Sequence, residues 1–259
     1  MHGVGFVVFG ASSYTGVDPL FKPNNREVKH HGKGRRVTFG WTPAQVMQHM
    51  PRLELIRGTI DDLPAEARFD VVSLHNVTEH LIDLEGQFEK ISSRLSPRGV
   101  IIFNHHNFCA WNGHHQQPKS IDRIDFDDPD QEWLIDWGHL MHEPPEGHYI
   151  RRKLNRIRLD DLRRVTERFF TIEQWEEIPT DRRRGRRRLS RAVRRRLPGY
   201  TERELLTQNV FCIARRRLPE IATSPWQDPP LKIVVPARGV ATPNGAPNGL
   251  VSGSTRGSH

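Results

Sequence analysis

The chain has 259 residues, with 39 Lys and Arg against 31 Asp and Glu, a formal charge of +8, 14 His and two Cys. That length suits one medium domain with additions or two small ones, and its apolar runs fall far short of the roughly 20 residues that span a bilayer as a helix. Cys109 and Cys212 are too few and too far apart for a disulfide framework or a CxxC metal site, and the N-terminus lacks a secretory cleavage pattern, so the sequence reads as a soluble, cytoplasmic protein with free thiols and no membrane partner.

In chain order, short apolar runs alternate with amphipathic segments, the pattern of a parallel sheet with crossover helices. Phe6 to Gly16 (FVVFGASSYTG) admits a strand and Gly-rich turn of the kind found in nicotinamide-dependent oxidoreductases. That motif must open a helix, however, and Val17-Asp18-Pro19 with Pro23-Asn24-Asn25 is poor helix material. Strands are predicted at 13–17, 53–57, 69–74, 99–104, 170–178 and 209–215, and the last two have room to pair antiparallel. Helices are predicted over 42–49, where Thr42 caps and Pro43 takes the first helical position, over 84–95 with Leu84, Phe88, Ile91 and Leu95 on one face, and over 159–169 with Leu159, Leu162, Val165 and Phe169 on one face. From about Pro219 the chain turns to Pro, Gly, Ala, Ser and Thr, a composition that buries too little surface to offset its entropy, and residues 218–259 are expected to be a disordered tail.

Ligands of an open parallel sheet bind beyond the carboxyl ends of its strands, so the loops there carry the functional candidates. Asp18 ends the first of these strands, after Gly16, and a carboxylate in that place can accept from a ribose diol. Ile60, in the segment Gly58-Thr59-Ile60-Asp61-Asp62, can lie against a purine with Asp61 at its edge. His75 and Asn76 follow the third strand, ahead of Thr78-Glu79-His80-Leu81. After the fourth comes Asn104-His105-His106-Asn107-Phe108-Cys109-Ala110-Trp111-Asn112-Gly113-His114-His115, a loop with four His, several amides and a Trp. Imidazole is the natural general base near neutral pH. His105 and His106 are favoured as catalytic groups because they stand at the strand end, with His75 beside them; Trp111, Asn112, His114 and His115 are assigned to the acceptor. No residue is assigned to a metal.

The ordered set "FDVV", "EHL", an amphipathic helix and "LSPRGVIIF" between Phe69 and Phe103 resembles the class I S-adenosylmethionine-dependent methyltransferases over residues 11 to 216. The resemblance implies a Rossmann-like α/β fold, a mostly parallel sheet with an antiparallel last strand and helices on both faces. It implies S-adenosyl-L-methionine as cofactor, with Asp18 on the ribose, Ile60 and Asp61 at the adenine, and His75 and Asn76 near the methionine end. The family's first strand and acidic-x-Gly-x-Gly loop have no counterpart here. Met1-His2-Gly3-Val4-Gly5 stands where that loop ends and its helix starts, with Gly3 assigned to the cofactor, and Thr59 replaces an acid common in the family.

Two further segments stand out. Residues 119–158, with Trp133, Trp137, His139, His142 and His148, are expected to form a lid over the substrate. Residues 180–206 hold ten Arg among the fifteen positions from Arg182 to Arg196; without interleaved aromatics they read as a solvated connector rather than a nucleic-acid groove. The expectation is a methyltransferase-like domain over 1–217 that O-methylates a small polar acceptor. The alternatives are a non-catalytic binding protein of that fold, an oxidoreductase, or an RNA-directed enzyme using the Arg segment.

Overall fold

A computed structural model of the chain describes residues 2–29, 36–38, 40–116, 123–129, 131–144, 146–181 and 185–217. The described residues between Met1 and Pro219 gather into one compact unit; Glu220–His259 and the rest of the expected tail lie outside the described residues.

The first element is a helix, α1 (His2–Val8), followed by β1 (Tyr14–Val17), β2 (Glu27–Lys29), β3 (Arg36–Thr38), α2 (Pro43–His49), β4 (Leu53–Ile56) and β5 (Phe69–His75). Then come α3 (Leu84–Arg94), β6 (Leu95–His106), α4 (Gly138–Met141), α5 (Tyr149–Lys153), α6 (Leu159–Phe169), β7 (Phe170–Pro179), α7 (Arg191–Arg196), α8 (Glu202–Leu206) and β8 (Thr207–Arg216). Each predicted strand and helix is present within a few residues of its expected ends. The strand that the oxidoreductase alternative needs at Phe6–Phe9 is absent: Phe6, Val7 and Val8 end α1 and Phe9 follows it in a turn, which removes that reading. The period of the helix explains why: Gly3 is buried, Val4 and Val7 are half-buried, and Phe6 stacks on Tyr14 with ring centroids 5.7 Å apart. A Cβ on Gly3 would stand 2.6 Å from the Tyr14 ring and 2.9 Å from Leu53, so the helix packs on β1 and β4 only because this position has no side chain.

The sheet order is β4–β1 in one ladder and β5–β6–β8–β7 in another, with β2–β3 a separate antiparallel ribbon. β1 and β4 run parallel, as do β5 and β6, while β8 is antiparallel to both of its neighbours. Hence β5, β6 and β7 point one way and only β8 opposes them, the arrangement expected for the last strand. Among the described residues no ladder joins β1 to β5.

The core lies between this sheet and the predicted apolar faces of α3 and α6. Leu84, Phe88, Ile91, Leu95, Ile101, Phe103, Leu159, Leu162, Phe170 and Val210 form one buried cluster. Phe88 meets Phe103 and Phe170 at ring distances of 5.6 and 5.5 Å. Burial of side chains this size stabilises by about 1.5–3 kcal/mol each, which anchors β6 and with it the loop that leaves its end. A smaller cluster of Trp111, Trp137, Leu197 and Leu205 ties the region around α4 to the segment of α7 and α8. Arg188 adds an ion pair to Asp136 at 2.5 Å. The described part of the Arg-rich stretch is thus packed through its apolar residues, with arginines on its outer side. No helix among the described residues is long and apolar enough to cross a membrane.

Candidate active site

The two-residue period of a strand decides the roles of the paired histidines. Gly99, Ile101 and Phe103 of β6 face the core, and His105 continues that face with no exposure at all. Its Nδ1 lies 3.0 Å from the Thr78 hydroxyl. Burial, with the charges of His106 and His80 adding to it, pushes the His105 imidazole down to about 3, so it stays neutral. His106 points the other way. Its Nε2 is 2.6 Å from the Gln208 amide nitrogen and 3.3 Å from Asn112 Oδ1, and that same amide reaches Asn112 Oδ1 at 2.6 Å.

The loop after β6 is held closed by one side chain. Asn107 is fully buried; its amide donates to the carbonyls of Glu204 and Thr207 at 2.7 Å each, and its oxygen accepts from Cys109 N at 3.0 Å. Phe108, Cys109, Ala110, Trp111 and His114 are buried behind it. Gly113 allows the return, since a Cβ there would overlap the Phe108 carbonyl. His115 follows with φ of 61°, a left-handed conformation uncommon outside glycine and asparagine, and its ring lies 4.1 Å from that of His106 and 5.2 Å from that of His80.

The loop after β5 supplies the facing groups. Asn76 is left-handed at φ 51° and its N–H donates to the Asn104 carbonyl, pinning the end of β5 to β6. Thr78, Glu79 and His80 form a single 3-10 turn with Thr78 and Glu79 buried. Asn155 clamps this turn, donating through Nδ2 to the carbonyls of Thr78 and Leu81 at 2.7 and 3.0 Å. Burial raises the Glu79 carboxyl above its ordinary range against the opposing hydrogen bonds from the backbone.

Behind the loop is a cavity of about 320 Å³ lined by Phe108, Cys109, Asn155, Arg156, Arg158 and Tyr200. Burial and the Glu204 charge push the Cys109 thiol up to about 12, so it is not a nucleophile. Arg158 covers the Tyr200 ring and donates to both Glu204 oxygens, at 2.5 and 2.6 Å.

A family described as "Methyltransferase domain" matches residues 4–176, more than half of the chain. The chain belongs to that methyltransferase family. It is a class I S-adenosylmethionine-dependent methyltransferase, and S-adenosyl-L-methionine is its methyl donor. Among solved structures, it is similar to an S-adenosylmethionine dependent methyltransferase from Mesorhizobium loti, at 18% identity over 81% of this chain and 83% of that one, with a TM-score of 0.44. Another is 1,6-didemethyltoxoflavin-N1-methyltransferase from Burkholderia thailandensis, at 12% identity over 82% of this chain and 65% of that one, with a TM-score of 0.44. Curated protein sequences give no match.

The methyltransferase distributes the predicted residues unevenly. His105, His106, Asn112, His114 and His115 come together around one loop, and Trp111 packs in its apolar floor beside Trp137. Asp18 directly follows β1 and is exposed, with Oδ1 accepting from Leu20 N at 2.7 Å. Ile60 packs against the core edge, and Asp61 reaches Lys90 at 2.7 Å. His75 is exposed at the end of β5. Gly3 is a packing position under Tyr14. Within the expected lid, 119–122, 130 and 145 lie outside the described residues; His139 is buried and donates through Nε2 to the Phe108 carbonyl at 2.9 Å. Thr78, Asn107, Asn155, Arg158, Glu204 and Gln208 escaped the sequence reading, because their partners stand 27 to 102 residues away.

The Arg158–Glu204 pair gives a stability prediction with a defined pH window. Burial pushes the Glu204 carboxyl up, but hydrogen bonds from Arg158 and Thr201 outweigh it and hold the group at about 2, below its ordinary 4.5. A carboxyl depressed on folding stabilises above its unfolded value, and that contribution disappears as pH falls from about 4.5 toward 2. Arg158→Ala should therefore destabilise by about 2–3 kcal/mol at pH 7, below the roughly 3–5 kcal/mol of a fully buried broken pair because Arg158 is partly solvated. Urea denaturation at pH 7 and pH 3 checks it: the difference from the parent should shrink at the lower pH, and an unchanged difference would contradict the assignment.

Proposed function

We propose that this methyltransferase transfers the methyl group to an oxygen of a small polar acceptor, with His106 as the general base. The observation that supports this reading is the polar cluster at the end of β6, in which the His106 Nε2, the Gln208 amide and Asn112 Oδ1 converge within 3.3 Å of one another. A hydroxyl held there by Asn112 and Gln208 would have an imidazole nitrogen within reach of its proton. His105 serves this arrangement from behind, neutral and bonded to Thr78, so that the strand end is fixed without a second charge beside the base. Trp111 and His114, buried behind the loop, pack its floor and hold this cluster in place instead of facing the acceptor.

The donor supplies an electrophilic methyl on a sulfonium. Its residues on this chain are Asp18 for the ribose diol, Ile60 and Asp61 for the adenine, and His75 with Asn76 for the methionine end. The exposed Asp18 carboxylate at a strand terminus fits a diol, and the left-handed Asn76 turns the chain away at the end of β5. Positive charge on the sulfonium disappears as the methyl leaves, so the protein's main contribution is alignment of the two reacting atoms. The described Arg-rich segment places Arg194 on Glu202 and Arg188 on Asp136, intramolecular partners that favour a small acceptor over RNA.

Calorimetric titration with S-adenosylhomocysteine tests the donor site. Asp18→Ala should weaken binding about tenfold or more, the value of a charge-assisted hydrogen bond to a diol of about 1.5–3 kcal/mol. Equal affinity in parent and variant would remove Asp18 from the site, and no binding by the parent chain would favour the non-catalytic reading.

A further inference from the structure

We propose that Glu79, His80 and His115 form a binding site for a divalent first-row transition-metal ion. One donor atom from each of the three lies within 4.8 Å of the other two. Imidazole nitrogen and carboxylate oxygen bind such ions at about 2.0–2.2 Å, so donors of one shell stand up to about 4.4 Å apart, and side-chain rotations of a few tenths of an ångström close the set. Two histidines and one carboxylate, with remaining positions open to water, suit zinc, iron, cobalt or nickel rather than magnesium or calcium.

Three independent features of the chain prepare these donors. Glu79 is 2% exposed, and its Oε1 is buried with no hydrogen-bond partner among the described residues. A carboxylate oxygen in that condition is costly, and a cation is the group that would satisfy it. His80 has Nδ1 2.9 Å from the Lys153 carbonyl. Since a carbonyl only accepts, that nitrogen carries the proton and Nε2 keeps its lone pair, the second-sphere pattern by which a metal-binding imidazole is oriented. His115 is held in the left-handed region at φ 61°, its N–H donating to the Asn112 carbonyl at 3.2 Å. Backbone strain of this kind persists where the surroundings fix it, and here it brings the ring to the His80 edge. The site needs neither bound donor nor acceptor, so it stands or falls apart from the O-methylation reading.

Cobalt is the probe. The full chain is treated with chelator, titrated with Co2+ and followed by visible absorption, with Zn2+ as competitor. One equivalent with a resolved visible band, displaced by Zn2+, is the expected result. His115→Gln and Glu79→Gln should each weaken that equivalent by about tenfold or more, whereas His49→Gln, whose ring packs on Trp41 instead, should leave it intact. Absence of binding, or affinity within about twofold of the parent in the His115 and Glu79 variants, overturns the site. Far-ultraviolet circular dichroism accompanies each variant; should Glu79→Gln fail to fold, the half-buried loop residue His115 decides alone.

Discussion

Replacing His106 by Asn is expected to lower kcat by roughly 10²- to 10⁴-fold, the usual contribution of a positioned general base, while S-adenosylhomocysteine affinity stays near that of the parent. The reason is positional. His106 lies on the face of β6 opposite to His105, and its side chain meets Gln208 and Asn112, neither of which belongs to the loops assigned to the donor. Asn keeps a polar group toward Gln208 but cannot take a proton, so the loss should fall on the chemical step. Initial rates of methyl transfer from S-adenosylmethionine to a panel of phenols and sugars, taken across pH, provide the measurement. The acid limb that a histidine base produces should vanish with the variant. A variant as fast as the parent on every acceptor turned over would move the base elsewhere in the cluster.

Asn107→Ala is the second large effect, and it falls on stability. The substitution deletes two donated bonds at 2.7 Å and one accepted bond at 3.0 Å. It strands the Glu204 and Thr207 carbonyls and the Cys109 amide, in a region where Asn107 itself has no exposure. Each buried group left unpaired costs about 1–3 kcal/mol, and partial relaxation brings the sum to roughly 3–5 kcal/mol. At about 2–4 °C per kcal/mol for a domain of this size, the melting temperature should drop by roughly 6–20 °C in a calorimetric scan. A drop of about 2 °C or less would mean that water repairs the site, and that the loop is held by its apolar floor instead.

Much of this architecture is legible from local pattern alone. The stripe Leu159, Leu162, Val165, Phe169 gives α6 to the residue, and Thr42 with Pro43 announces the start of α2, where the structure finds the Thr42 side chain capping Gln45 N and the Gln45 side chain returning the bond. The N-terminal segment misleads for a physical reason: Phe6-Val7-Val8-Phe9 has strand composition, but Gly3 lets that segment approach Tyr14 closely enough for tertiary packing to override propensity. Chemistry is legible where it is local, as in the histidine pairs. Which histidine of a pair faces the core is also written in the sequence, since His105 stands two and four residues after Phe103 and Ile101. The clamps are different in kind. Asn155 acts on a turn 74 to 77 residues away, and Gln208 on His106 across 102; no periodicity in the chain encodes such a meeting.

The separation of β4–β1 from the larger sheet has an energetic meaning for the ligand. Four residues against four in a two-stranded ladder is marginal as an isolated unit, whereas β5, β6, β8 and β7 share the aromatic core. Amide hydrogen exchange should therefore divide the molecule, with Tyr14–Val17 and Leu53–Ile56 opening at a lower free energy than Ile101–Phe103. Asp18 belongs to the softer part. A donor that grips Asp18 on one side and the end of β5 on the other would spend part of its affinity on ordering the first ladder, and would return that free energy as protection of amides it never touches.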